Sequence, residues 1–249
     1  NFSLVHDDIM DEAPLRRGKA TVHEKWNRDI AILSGDVMLV QAYQELIETN
    51  SVHLKDLIHQ FNRSAILVCE GQQFDMNFES LEEVSLDEYL NMIELKTAEL
   101  LACSLKMGAM LANAPKADAE AVYNFGINLG LAFQIQDDLL DSFADASKFG
   151  KQVGGDILAN KKTYLMLKAL EKASQKQREA LKAAMSMPAD QKVKAVLDLY
   201  LMIGVDKDSQ EAIDLHYQKA LSELQAVQLE ESLKAPLIEL AAMVMKRDH

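Results

Sequence analysis

Apolar residues run along this 249-residue chain in long stretches of helix-forming composition broken by short polar segments, with no alternating pattern of the kind a half-buried strand shows. The pattern predicts helices over residues 29–49, 53–78, 86–112, 117–143, 163–173, 177–185, 191–204, 209–230 and 236–246. A first helix runs through Asp11 and ends near Ala13-Pro14, because proline disfavours helix at the residue before it. A polar turn over Arg16 to Lys19 follows. Ser85-Leu86-Asp87-Glu88 is a capping-box pattern, and it opens the helix that carries Lys96 and Thr97. Pro115 and Pro188 mark breaks, and residues 145–162, rich in Gly, Lys and Asp, are the longest irregular stretch and the expected place for a lid. With no linker or low-complexity tract in sight, residues 1–249 read as a single all-α domain.

Composition supports that reading. Ala, Leu, Met, Glu, Lys and Gln dominate, and only ten glycines and four prolines interrupt them, so helix is favoured along most of the chain. No apolar stretch approaches the roughly 18 to 20 residues that span a bilayer, which predicts a protein that does not cross a membrane and lies in the cytoplasm. Cys69 and Cys103 lack metal-ligand spacing and fall in apolar helical runs, the setting of buried free thiols. The net charge of −13 argues against nucleic acid as a partner.

Two acidic clusters of one pattern change the picture. Asp7-Asp8-Ile9-Met10-Asp11 and Asp137-Asp138-Leu139-Leu140-Asp141 each set carboxylates four residues apart, on one face of a helix. Stacked like charges destabilise a helix, so each cluster needs a cation. Magnesium suits it, since it binds through one or two carboxylates together with substrate phosphates. An isolated DDxxD is more often a solvated helix face, but the second copy has apolar residues on both sides, and the first is followed by Arg16-Arg17-Gly18-Lys19, whose guanidinium forks match phosphate oxygens. The expectation is two acidic walls of one cavity holding Mg²⁺ and a polyphosphate. There is no nucleophile elbow, catalytic Cys-His pattern or P-loop, so covalent and Walker-type mechanisms have no support.

Residues 2–23 and 130–165 closely resemble the two aspartate-rich regions of the trans-isoprenyl diphosphate synthases, the polyprenyl synthetase family. Glu70-Gly71-Gln72-Gln73-Phe74-Asp75 resembles that family's glycine-glutamine helix, Glu94-Leu95-Lys96-Thr97-Ala98 its lysine-threonine pair, and the closing LIELAAMVMKRDH its C-terminus. The resemblance implies an isoprenoid synthase-type helical bundle around a central cavity, with further helices ahead of Asn1, including a Gly-Lys-x-Arg segment that this sequence does not match. It also implies condensation of an allylic diphosphate with isopentenyl diphosphate, three Mg²⁺ ions with substrate bound, and a homodimer.

By resemblance, Asp7, Asp11, Asp137 and Asp141 hold metal, with Asp8, Asp138 and Asp156 as further partners. Arg16 contacts the allylic diphosphate and Arg17 the isopentenyl diphosphate; Lys96, Lys151 and Lys161 surround the leaving group, and Thr97 and Gln134 line the reaction centre. Gln72 and Asp75 are softer assignments, and His6 and His23 read as structural residues. Phe2 and Ser3 lie five and four residues before Asp7, with Phe2 about 7.5 Å along the axis, so they form the expected floor that limits product length. A bulky ring there implies a farnesyl or geranylgeranyl product, with a longer polyprenyl diphosphate as the alternative. A class I terpene cyclase also uses DDxxD, but its second metal motif is usually of the Asn/Asp-x-x-Ser/Thr-x-x-x-Glu type. A non-catalytic synthase subunit tends to lose metal ligands, whereas both sets are kept here.

Overall fold

The computed structural model describes residues 2–49, 51–144 and 154–246, and apart from one short hairpin its regular elements are helices, as the all-α reading requires. By its contacts the chain divides into two units, Asn1–Asn62 and Arg63–His249.

The first unit holds α1 (Phe2–Met10), a hairpin of β1 (Leu15–Arg16) and β2 (Lys19–Ala20), α2 (Val22–Lys25), α3 (Arg28–Glu48) and the start of α4 (Leu54–Ser80). α1 stops one residue short of expectation. The Asp11 N–H still bonds the Asp7 carbonyl at 2.9 Å, but Glu12 at φ +49° turns the chain out of the helix. The expected polar turn is a tight antiparallel hairpin pairing Leu15 with Ala20 and Arg16 with Lys19. Its two loop residues, Arg17 and Gly18, both take positive φ (+53° and +72°), the geometry whose twist matches paired strands. α3 is capped by the Asn27 side chain, whose Oδ1 accepts from the Ile30 N–H at 2.8 Å. By length and composition alone α3 would suffice to cross a membrane, a longer apolar run than the sequence reading recognised, with its few charges mostly near its ends.

The second unit holds the rest of α4, then α5 (Leu86–Ile93), a wide π-type turn (Glu94–Ala98), α6 (Glu99–Leu111), α7 (Lys116–Phe143), α8 (Gly155–Leu158), α9 (Tyr164–Lys172), α10 (Gln175–Met185), α11 (Ala189–Ile203), α12 (Val205–Ala226) and α13 (Glu231–Met245). α7 is its central rod. Phe125, Leu129 and Ile135 on it are fully buried, and its buried side chains belong to two of the three apolar clusters, one with Tyr89, Ile93 and Tyr164, the other with Ala220, Leu224 and Ala241, while Leu139 and Phe143 pack against the third. The third cluster joins α9, α10 and α11 through Leu165, Leu181 and Val196. The Ser85 capping box forms as predicted, with Glu88 Oε2 accepting from the Ser85 N–H at 2.8 Å.

Three expectations change. Residues 86–112 are not one helix, since the wide turn divides α5 from α6. α13 begins at Glu231 and passes through Pro236, five residues ahead of the predicted start. Cys69 is an exposed thiol on the solvent face of α4, while Cys103 is buried; neither forms a disulfide.

Candidate active site

The first acidic cluster is built locally. α1 places Asp7 and Asp8 side by side, and Asp8 is only 4 % exposed. The hairpin then folds Arg16 back onto them: its Nε donates to Asp8 Oδ1 at 2.8 Å and its Nη2 to Asp7 Oδ2 at 3.2 Å. A buried carboxylate needs such a charge-assisted partner. Asp11 lies exposed just past the helix end, and Arg17 is exposed at the hairpin tip. Phe2 lines an open groove of about 520 Å³ with Met38, Gln41, Ala42, Gln44 and Glu45 of α3, whereas half-buried Ser3 is not among its lining residues. His6 is structural: its Nε2 lies 3.1 Å from the Ile32 carbonyl and packs where a Cβ on Gly35 would fall. His23 lies 3.6 Å from Glu24 and makes no hydrogen bond among the described residues.

The second cluster sits near the C-terminal end of α7, where Asp137 and Asp141 are half-buried and Asp138 is 4 % exposed. Asp138 is the junction of a polar seam. It accepts from the Tyr89 hydroxyl, from the Tyr164 N–H at 2.9 Å and from Gln134 Nε2 at 3.1 Å. Burial, and then the charge of Asp156, push its carboxyl up to about 7, against the opposing pull of those hydrogen bonds. Gln134 in turn accepts from Thr97 Oγ1 at 3.0 Å, so the lysine-threonine pair and the acidic cluster are joined through one amide. Lys96 Nζ meets Asp75 at 2.5 Å.

Asp141 organises the segment after α7. Its carbonyl accepts from the Gly154 N–H at 2.6 Å and its Oδ2 from the Asp156 N–H at 3.0 Å. Gly154 takes φ +81° to make that approach. Lys161, exposed, follows α8 with its N–H on the Asp156 carbonyl at 2.9 Å. Lys151 and residues 145–153 of the expected lid lie outside the described residues. Gln72, on α4, keeps a buried Nε2 with no hydrogen-bond partner among the described residues.

The sequence reading treated Asp138 as an accessory acid and did not single out Tyr89 or Tyr164. Their partnership spans 49 and 26 residues, and no local pattern announces it. As a donor set, Asp7, Asp11, Asp137 and Asp141 offer hard oxygens only. Among the described residues no group of three or more His, Cys, Asp or Glu side chains closes on a metal-sized point. Hard carboxylate oxygens suit an ion of the magnesium type, which takes further ligands from water and phosphate.

This fold is that of the helical isoprenyl synthases. A crystal structure of a geranylgeranyl pyrophosphate synthase superposes with a TM-score of 0.93 at 43 % identity, covering 99 % of this chain and 77 % of that one. The chain belongs to the polyprenyl synthetase family, whose model matches residues 1–202. It is 36 % identical over its whole length to the short chain isoprenyl diphosphate synthase of Methanothermobacter thermautotrophicus, spanning 76 % of that protein. It is 34 % identical to the geranylgeranyl pyrophosphate synthase of Geoglobus acetivorans, spanning 77 % of it.

Proposed function

We propose that this chain is a magnesium-dependent prenyltransferase that condenses an allylic diphosphate with isopentenyl diphosphate to give a fifteen- or twenty-carbon trans-prenyl diphosphate. The observation that carries the reading is the seam from Thr97 through Gln134 to Asp138, which sets polar oxygens beside the carboxylates of α7. Asp7, Asp11, Asp137 and Asp141 are the residues that would hold metal. When bound there, magnesium would supply positive charge to offset the negative charge growing on the diphosphate as its carbon–oxygen bond breaks.

The chain's own side chains do the rest. Arg16, Lys96, Lys151 and Lys161 receive the allylic diphosphate, and Arg17 that of isopentenyl diphosphate. Thr97 and Gln134 present oxygen dipoles to the allylic cation. The cation alkylates the isopentenyl double bond, and loss of a proton to the departing pyrophosphate restores an alkene. Catalysis is then positioning and preorganised charge in a dry site. Residues 1–249 act together in this reaction as one prenyl synthase domain, in the cytoplasm.

α3 supports a homodimer. Ile30, Leu33, Val37, Val40 and Ile47 fall at alternating three- and four-residue spacing, with Gln44 completing the series, and all five apolar members are at least 40 % exposed. A seam of that period pairs helix with helix. We assign it to a second copy rather than to a lipid bilayer.

The test is incorporation of labelled isopentenyl diphosphate by the full-length protein with dimethylallyl, geranyl and farnesyl diphosphates, with and without magnesium. Metal-dependent products of fifteen or twenty carbons are expected, and Asp7→Ala or Asp137→Ala should lower kcat by about a hundredfold or more. No incorporation with any primer would refute the reading.

A further inference from the structure

The wide turn Glu94–Ala98 carries both Lys96 and Thr97, and three features of the second unit hold it open. Its extra residue shows in the hydrogen bond from the Glu99 N–H to the Glu94 carbonyl, five residues back instead of four. Such turns are uncommon because they pack less well than an α-helix, so tertiary contacts must sustain them. Two glycines supply the first pair of contacts. A Cβ on Gly71 of α4 would lie 2.4 Å from the Lys96 nitrogen, and one on Gly130 of α7 would lie 2.5 Å from Ala98 Cα.

Glu99 supplies the third. It is the first residue after the turn, is 2 % exposed, and makes no ion pair among the described residues. Its Oε1 accepts from Ser64 Oγ of α4 at 2.5 Å and its Oε2 from the Tyr123 hydroxyl of α7. Burial, and then the bond to Glu99, push the Tyr123 hydroxyl well above its usual pKa, so it remains a donor. A buried carboxylate held by neutral hydroxyls is costly. Its placement is informative: one side chain ties the end of the turn to both helices that flank it.

We propose that Glu99 is a positioning residue for prenyl transfer: its carboxylate, gripped by Ser64 and Tyr123, fixes the register of the wide turn and so aims Lys96 at Asp75 and Thr97 at Gln134. Were the turn to relax to ordinary helix, the residues within it would rotate relative to α6. The Thr97 to Gln134 to Asp138 seam would then break at its first bond. The inference rests on the prenyl-transfer reading above and adds to it the device that sets its reaction centre.

The experiment compares Glu99→Leu, Glu99→Gln and Tyr123→Phe in the full-length protein, alone and with Thr97→Val, by kcat, both KM values and thermal unfolding. Glu99→Leu is expected to lower kcat by about tenfold or more and to leave the KM for isopentenyl diphosphate unchanged, with thermal unfolding showing that the variant is folded at the assay temperature. Glu99→Gln, which keeps an acceptor, should recover most of that loss. On the Thr97→Val background the loss from Glu99→Leu should shrink, because the two residues act through one bond. A folded Glu99→Leu with unaltered kcat, or a loss fully additive with Thr97→Val, overturns the proposal. If Glu99→Leu does not fold, Tyr123→Phe decides: it removes one donor and almost no volume, and an unchanged kcat there also overturns it. An unmodified protein that condenses nothing would remove the functional reading and this inference together, whereas an active protein with indifferent variants removes this inference alone.

Discussion

Phe2 stands at the head of α1, five residues before Asp7, and its ring lines the groove shared with Met38 and Ala42 of α3. If the product grows away from the carboxylates along α1, it would meet that ring about 7.5 Å on. Phe2→Ala should therefore lengthen the main product by at least one isoprene unit, read by chromatography of the dephosphorylated alcohols. An unaltered distribution would place the floor on another side chain. At this scale the motifs were readable because they are local: Asp7, Asp11, Arg16, Asp137 and Asp141 announce themselves by spacing and neighbours. What could not be read is partnership. The contacts of Arg16 with Asp7 and Asp8, made by the hairpin, were not foretold by the motif's spacing. Asp138 gathers donors from residues far along the chain, which no window of sequence contains.

Among the elements, helix starts were legible at Ser85 and Pro115, where a cap or a proline opens the helix, but not at Pro236, which lies inside α13. The wide turn was not, because Glu-Leu-Lys-Thr-Ala is ordinary helix-forming sequence. Its cause lies in Gly71 and Gly130, on other elements, whose missing side chains admit its backbone. Two glycines therefore give opposite predictions for one substitution. Gly130→Ala forces a methyl against the Ala98 backbone and should lower stability by about 2 kcal/mol. Gly108→Ala, exposed in α6 with nothing within 4 Å of the new atom, should raise it by about 0.5–1 kcal/mol through helix propensity. Urea midpoints measure both, and equal shifts would mean that the close approach at Gly130 carries no cost.

For the molecule as a whole, the apolar seam of α3 is the face on which the proposed second copy would pack. Leu33 and Val40 are 63 % and 60 % exposed at its centre, and replacing both by Glu would place like charges against each other across a paired seam. Sedimentation should show a dimer for the unmodified protein and a monomer for the double variant; a dimer that survives the change would put the interface elsewhere. The long rod of α7 has a consequence of its own. Gly130 is pressed against Ala98, and Asp141 lies three turns further along the same helix, about 16 Å away. Over that span a tilt of about 5° at the glycine swings the carboxylate by roughly 1.4 Å, enough to cost on the order of a hundredfold in rate. The reaction's tolerance is thus an angle, set where one helix backbone rests on another, and variants that never approach substrate can exceed it.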